Sequence, residues 1–431
     1  MKRVLFAAAL LYFLIVSPMR AQDISGDWQG AVGTGEERLR FILHVDQSAD
    51  GAWNAKFFSI DQGPDGIPVS AITFHGTELA FSIADLKLSY RGTVSVDGTS
   101  IAGKMKQDGT SSVTLHRPTS GTAWPRDIHC ACTASFISVE KGVKLEVLDW
   151  GGAGRPLILL AGLGDTAHGF DDFAHKLVKK YHVYGITRRG FGESDSPPPS
   201  EANYNADRLG DDVLAVIDAL RLVCPVLAGH SIAGEELSSV GSRHPEKIAG
   251  LIYLEAAYEY AFYDRAKGDV NLDANEARKE LGNLVEKGGV DNKSLSELLT
   301  QLPALEKELQ DQRDKVARLP ENPPEPAHEL GPEEAIMLGQ RKYTKITSPV
   351  LAIFADPHDL GPMPEYNAAG RAAMAKFMAD HTTTHRSEFA AGVPSAQVVG
   401  IPNADHYIFK SNESEVLKEM EKFIAALPQT D

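Results

Sequence analysis

Ser231 stands in the run Gly229-His230-Ser231-Ile232-Ala233-Gly234, directly after a short apolar strand pattern and at the head of a helical one. A sharp strand-to-helix turn of this kind holds a serine hydroxyl exposed above a sheet, and small neighbours permit the reversal. A serine alcohol is a poor nucleophile until a base takes its proton, and the base needs a carboxylate to fix its tautomer. His406, in the loop Asn403-Ala404-Asp405-His406 after the last strand pattern, supplies an imidazole. For the acid, Asp359 in Ala355-Asp356-Pro357-His358-Asp359 fits the chain order serine, acid, histidine. Asp356 is close enough to compete, and Glu255, at the end of the strand pattern Ile252-Tyr253-Leu254, is the other alternative acid. Such a trio performs acyl transfer through an ester intermediate. An alkyl-serine ether could not be hydrolysed by attack at a carbonyl, so a serine nucleophile points to acyl chemistry.

The elements that would position these groups lie in the second part of the chain. A hairpin is expected over Ile137 to Glu140 and Leu145 to Trp150, turning at Lys141-Gly142. Continuous apolar runs follow at 157–160, 182–186, 225–228, 248–254, 349–355 and 396–401, and between them lie helical patterns at 172–180, 207–220 and 234–243, with a last helix reaching Leu427. Apolar strands alternating with amphipathic helices imply a parallel sheet covered on both faces. From about 256 to 348 the alternation stops. Leu295, Leu298, Leu299, Leu302, Leu305 and Leu309 recur at helical spacing there, which predicts the buried face of a helical lid over the carboxyl edge of the sheet. Tyr258, Tyr260 and Phe262 follow the Glu255 strand and either line an acyl pocket or pack the lid.

Residues 22–119 read differently, as short alternating strands with turns at Asp50-Gly51 and Asp97-Gly98. An antiparallel β-sandwich or small barrel is expected, serving to stabilise or space, since no ionisable cluster converges in it. Residues 120–134 form a linker. At the N-terminus, Lys2 and Arg3 precede an apolar run from Val4 to Val16, then Ser17, Pro18 and Ala21. The run falls short of the roughly 20 residues that span a bilayer and reads as a signal peptide, residues 1–21, cleaved near Ala21. A secreted or periplasmic protein without a stable membrane anchor is expected.

The 431 residues carry 43 Lys and Arg against 59 Asp and Glu, a net charge of −16, so nucleic acid is not an expected partner. At 43% hydrophobic and 24% charged residues the chain is globular rather than disordered. Three cysteines leave no zinc-type paired spacing. His381 and His385 have the i, i+4 spacing of a helical metal pair, but no general-base glutamate follows His381, and a solvated face is expected. No metal and no cofactor are expected.

Over residues 135–428 the chain resembles the α/β-hydrolase superfamily, in its lidded esterase, lipase and haloperoxidase-like branch. The resemblance rests on Leu159-Leu160-Ala161-Gly162-Leu163-Gly164, on Arg188-Arg189-Gly190-Phe191-Gly192-Glu193-Ser194, on the Ser231 turn and on the final Asp and His. Ala233 replaces the usual second glycine of the serine turn, and Ala161 stands where a histidine often precedes the oxyanion-loop glycine. The resemblance implies a serine esterase without cofactor, acting on a small ester or acyl substrate, with the backbone N–H groups of Leu163 and Ile232 as oxyanion donors. Two rivals remain. Gly162-Leu163-Gly164-Asp165-Thr166-Ala167 also matches a dinucleotide loop, with Arg188 and Arg189 as candidates for a 2′-phosphate in an NADP-binding oxidoreductase, although Asp165, Asp171 and Asp172 would repel a pyrophosphate. Otherwise both arginines are structural or surface residues. A catalytically silent binding module on the same fold is the other.

Overall fold

In the computed structural model the described residues are 23–32, 39–48, 51–59, 66–84, 86–107, 109–119, 132–286, 292–317, 330–361 and 367–428. The expected signal peptide lies outside them, as does nearly all of the expected linker. No helix among the described residues is long and apolar enough to cross a membrane. The chain divides into two compact units, the second holding every residue from Trp124 onward.

The N-terminal strands, from Gly26–Val32 to Thr110–His116, form one nine-stranded sheet. Its recorded pairings are antiparallel. The period-2 pattern works as expected: Leu88, Tyr90 and Val94 are buried while Ser89, Arg91 and Thr93 are exposed. Among the described residues, one continuous antiparallel sheet leaves no second sheet for a sandwich and is consistent with the small-barrel alternative.

In the second unit, eight strands form a sheet: β1 (Thr133–Glu140), β2 (Val143–Gly151), β3 (Pro156–Leu160), β4 (His182–Ile186), β5 (Val226–His230), β6 (Gly250–Leu254), β7 (Val350–Ala355) and β8 (Ala396–Ile401). The spatial order is β1-β2-β4-β3-β5-β6-β7-β8. The pairs β1–β2 and β2–β4 are antiparallel and every later pair is parallel. Strands β5, β6 and β7 are buried along their whole length, as a parallel sheet covered on both faces requires. Beside two four-residue helices, Glu201–Tyr204 and Ile408–Ser411, the longer helices among the described residues are α1 (Asp171–Leu177), α2 (Ala206–Ala219), α3 (Gly234–Arg243), α4 (Val270–Glu286), α5 (Asn292–Val316), α6 (Pro332–Gly339), α7 (Ala368–Gly392) and α8 (Glu413–Ala426). Helix α7 was not foreseen. Its run of alanines, threonines and histidines buries only Thr382 and Phe389, so it has no apolar stripe to announce it. Cys132 is disulfide-bonded and Cys224 is a free thiol, so a bridge exists that the cysteine spacing did not suggest.

The leucine stripe of α5 departs from expectation. Leu298 is buried, but Leu295, Leu299, Leu302 and Leu309 are exposed. The period correctly gives a helix, yet it presents most of that face to solvent instead of to the core.

A buried charge cluster ties the sheet to the segment before α1. His168 lies 3.3 Å from Glu146 and 3.4 Å from Asp171, while Trp150 donates to Asp171 and Thr187 donates to Glu146. Burial alone would push the imidazole down, but hydrogen bonds to Asp171 and Glu146 and their charges outweigh it and raise His168 to about 9. A folded pKa above the unfolded value stabilises fully below about 6.5 and ceases to do so as pH rises through about 9. The protein is therefore expected to lose about 3 kcal/mol of stability from this group between pH 6.5 and 9.5. Urea unfolding of wild type and His168→Gln across that window checks it; parallel pH profiles for the two would refute the assignment.

Candidate active site

Ser231 follows β5 with φ of 52°, a left-handed backbone that non-glycine residues rarely adopt. Glu255, one residue beyond β6, has φ of 51°. Both reversals turn the chain out of the carboxyl edge of the sheet. The turn at Ser231 depends on Gly234: a Cβ there would meet the Ala256 carbonyl oxygen at 1.9 Å, so only glycine lets α3 start this close to the end of β6. Ala233 has φ of −59°, an ordinary helical value, so nothing at that position demands the customary glycine.

The imidazole of His406 reaches this edge from the loop after β8. Its Nδ1 is 3.6 Å from Glu255 Oε2, which turns Nε2 to the opposite side of the ring. Its carbonyl accepts a hydrogen bond of 2.9 Å from Nε2 of His230, the residue before Ser231, and the two rings lie 4.7 Å apart. Burial, reinforced by the nearby His406, holds His230 well below the ordinary histidine range, so it is a neutral donor through Nε2. Gly162 accommodates that ring, since a Cβ there would come within 2.9 Å of His230 Nδ1.

The carboxylate beside His406 is Glu255, and Asp359 is not brought to it. Glu255 is almost wholly buried; Oε1 accepts from the Ala355 N–H at 2.5 Å and Oε2 from the Tyr258 hydroxyl at 2.8 Å. Asp359 is exposed and accepts from the Gly361 N–H at 2.9 Å. The cause is strand alternation. His358 forms a parallel bridge with Ala404 and turns its Nε2 to within 3.7 Å of Glu255, so the next residue faces the other way. Asp356 is turned to α7, where it pairs with Arg386 at 2.6 Å. The imidazole of His358 was missed in the sequence, although the pentapeptide containing it was singled out. Burial pushes it down, Glu255 acts in the opposite sense, and the net direction is below the ordinary value.

Leu163 and Ile232 meet in one apolar cluster with Leu209, Tyr204 and, from α6, Ala335 and Ile336. Ile232 lies in the first turn of the helical segment after β5, where backbone N–H groups have no intrahelical acceptor. Tyr260 joins the same cluster, and burial pushes its hydroxyl well above the ordinary tyrosine range, with the nearby Ser231 side chain acting in the opposite sense. Phe262 instead packs on Phe389 of α7, in the core below. Of the three aromatic candidates, Tyr260 therefore adjoins the serine, Tyr258 holds the carboxylate, and Phe262 is packing.

Arg188 is buried and braces the loop after β3. It donates to the carbonyls of Ala161 at 2.8 Å and Gly162 at 3.1 Å, and pairs with Glu236 of α3 at 2.5 Å. One guanidinium thus ties the Leu163 loop to the helix that follows Ser231, a support where Ala161 offers no side chain. Arg189 is equally buried, bonded to Asp212 at 2.6 Å and to Glu140 at 2.8 Å. Neither is a surface residue, and both are committed to carboxylates rather than presented to a dinucleotide phosphate.

Among the described residues two groups could hold a metal ion: Glu255, His358 and His406, and separately Glu259, His381 and His385. The second corrects the expectation of a solvated face. His381 stacks between Tyr258 at 5.4 Å and Phe377 at 6.2 Å, and burial pushes His385 down to about 3.

Residues 155–330 match the family model described as alpha/beta hydrolase fold. This part of the chain has that fold. A relative from Bacillus subtilis strain 168, AB hydrolase superfamily protein YisY, is 36% identical over 124 residues, covering 28% of this chain and 45% of its own. The 2-(acetamidomethylene)succinate hydrolase of Mesorhizobium japonicum is 23% identical over 292 residues, 64% of this chain and 90% of its own. The chain spans a little under half the length of the curated relatives it matches first, at 48%, 45% and 42%. Among solved structures, an esterase from Exiguobacterium antarcticum aligns at a TM-score of 0.43 and 16% identity, over 68% of this chain and all of its own. The Bacillus and Mesorhizobium relatives both carry hydrolase in their names.

Proposed function

We propose that the chain is a serine hydrolase that cleaves carboxylic esters or related acyl compounds, with Ser231 as nucleophile, His406 as base and Glu255 as the acid. The observation that carries this reading is the Glu255–His406 pair at 3.6 Å, with the His406 carbonyl bonded to the residue before Ser231. His406 takes the proton of Ser231 as its oxygen attacks the acyl carbon, and Glu255 stabilises the imidazolium. The N–H groups of Ile232 and Leu163 receive the developing oxyanion, each such donor contributing about 100- to 1,000-fold in rate. His406 then protonates the leaving alkoxide and later activates water to release the acid. Helices α4 to α6 serve as the lid, with Ala335 and Ile336 closing over the oxyanion residues. The basic and apolar N-terminus supports export, with residues 22–119 as a stabilising or spacing domain.

A fluorophosphonate probe tests the chemistry directly. One adduct is expected per chain, on the peptide that contains Ser231, and a p-nitrophenyl ester should slow its formation. Labelling elsewhere, or no adduct together with no hydrolysis across p-nitrophenyl esters of increasing chain length, would refute the proposal.

A further inference from the structure

The geometry points to a transition-metal site, of the class that binds zinc, formed by His381 and His385 on α7 and Glu259 in the segment after β6. The two imidazoles sit one helical turn apart on one face. One ligand atom from each of the three residues lies within 4.8 Å of the other two. His385 Nε2 and Glu259 Oε2 are 3.5 Å apart, and two donors bonded tetrahedrally to zinc at its usual lengths stand about 3.3 Å apart. Small side-chain rotations would close the set.

Three further observations fit a ligand set better than a chance meeting. Glu259 Oε2 is buried without a hydrogen-bond partner, a costly state for a carboxylate that a cation would relieve. His385 Nδ1 lies 3.3 Å from Glu388, whose other ion-pair partner is Lys267 at 2.8 Å. A carboxylate at Nδ1 fixes that proton and leaves the Nε2 lone pair aimed at Glu259, the arrangement that orients metal-bound histidines. Finally, the three residues line a cavity of about 390 Å³, which leaves room for water or a small anion as a fourth ligand, as open zinc sites have. Lys315 also lines the cavity and opposes cation binding. Lys267 lines it too, but the two lysines are outnumbered by the carboxylates of Glu259, Asp269, Glu308, Asp311, Asp380 and Glu388, so the lining as a whole suits a cation.

The site is separate from Glu255, His358 and His406, and its test does not depend on the esterase reading. Untagged protein stripped with chelator, loaded with Zn²⁺ and dialysed should retain one equivalent by elemental analysis and melt at higher temperature than the stripped form. Co²⁺ should give the visible absorption of a tetrahedral centre with nitrogen ligands. His385→Gln and Glu259→Gln should each weaken Zn²⁺ binding at least tenfold while melting normally without metal, and His381→Ala should do the same. His358→Ala should bind as wild type does. Failure of the wild type to retain zinc would overturn the proposal, as would zinc binding untouched by the α7 variants or abolished by His358→Ala.

Discussion

Replacing Glu255 with glutamine is expected to lower kcat for ester hydrolysis about 10,000-fold, the scale seen when a triad carboxylate loses its charge but keeps its shape. Asp359→Asn is expected to leave kcat within about twofold, because the side chain is exposed and bonds its own loop rather than His406. The contrast follows from placement. Glu255 is held by the Ala355 N–H and the Tyr258 hydroxyl with one oxygen facing His406, whereas Asp359 faces solvent and bonds its own loop at Gly361. Glutamine fills the same volume, so the fold survives. It cannot, however, stabilise an imidazolium, and its amide can present a donor to the nitrogen that must itself donate. Steady-state kinetics on both variants, with melting temperatures to confirm folding, decide the matter. A severe loss in Asp359→Asn with an active Glu255→Gln would restore the acid to the loop after β7.

The sheet was legible because its strands are buried on both faces. An unbroken apolar run such as Val226 to Ala228 needs no partner to be recognised, and α3 begins and ends at Gly234 and Arg243 as its periodicity implies. The serine turn was legible for a related reason, since glycines packed around a single serine are demanded by the backbone itself. The acid was less so. Chain order alone favours Asp359, and what leads the proposal to Glu255 instead is a single β-bridge between His358 and Ala404, a contact far apart in sequence that reverses which neighbour faces inward. Arg188 illustrates the same limit. Its partners are two carbonyls and Glu236, and nothing in the residues around it distinguishes a buried brace from a surface charge. The α5 leucines failed in the opposite sense: periodicity reports that one face is apolar, and says nothing of whether anything covers it.

Ser231→Ala is expected to reduce kcat by about 10,000-fold or more and to abolish fluorophosphonate labelling, because the proposed mechanism forms its acyl ester on the Ser231 hydroxyl. Ser231→Gly should be equally inactive, yet the two variants should part in stability. Serine at φ of 52° occupies a conformation that costs a non-glycine residue on the order of 1–3 kcal/mol, and alanine inherits that cost with its Cβ. Glycine adopts it freely, at the expense of up to about 1 kcal/mol of extra entropy lost on folding. The net expectation is that Ser231→Gly is about 1 kcal/mol more stable than Ser231→Ala, read as a higher urea midpoint at unchanged slope. Such a result would locate the strain in the backbone that aims the hydroxyl, a cost retained for geometry rather than for folding. An active Ser231→Ala would remove the nucleophile from the mechanism, and a Ser231→Gly variant no more stable than Ser231→Ala would show that the turn at β5 is not strained at all.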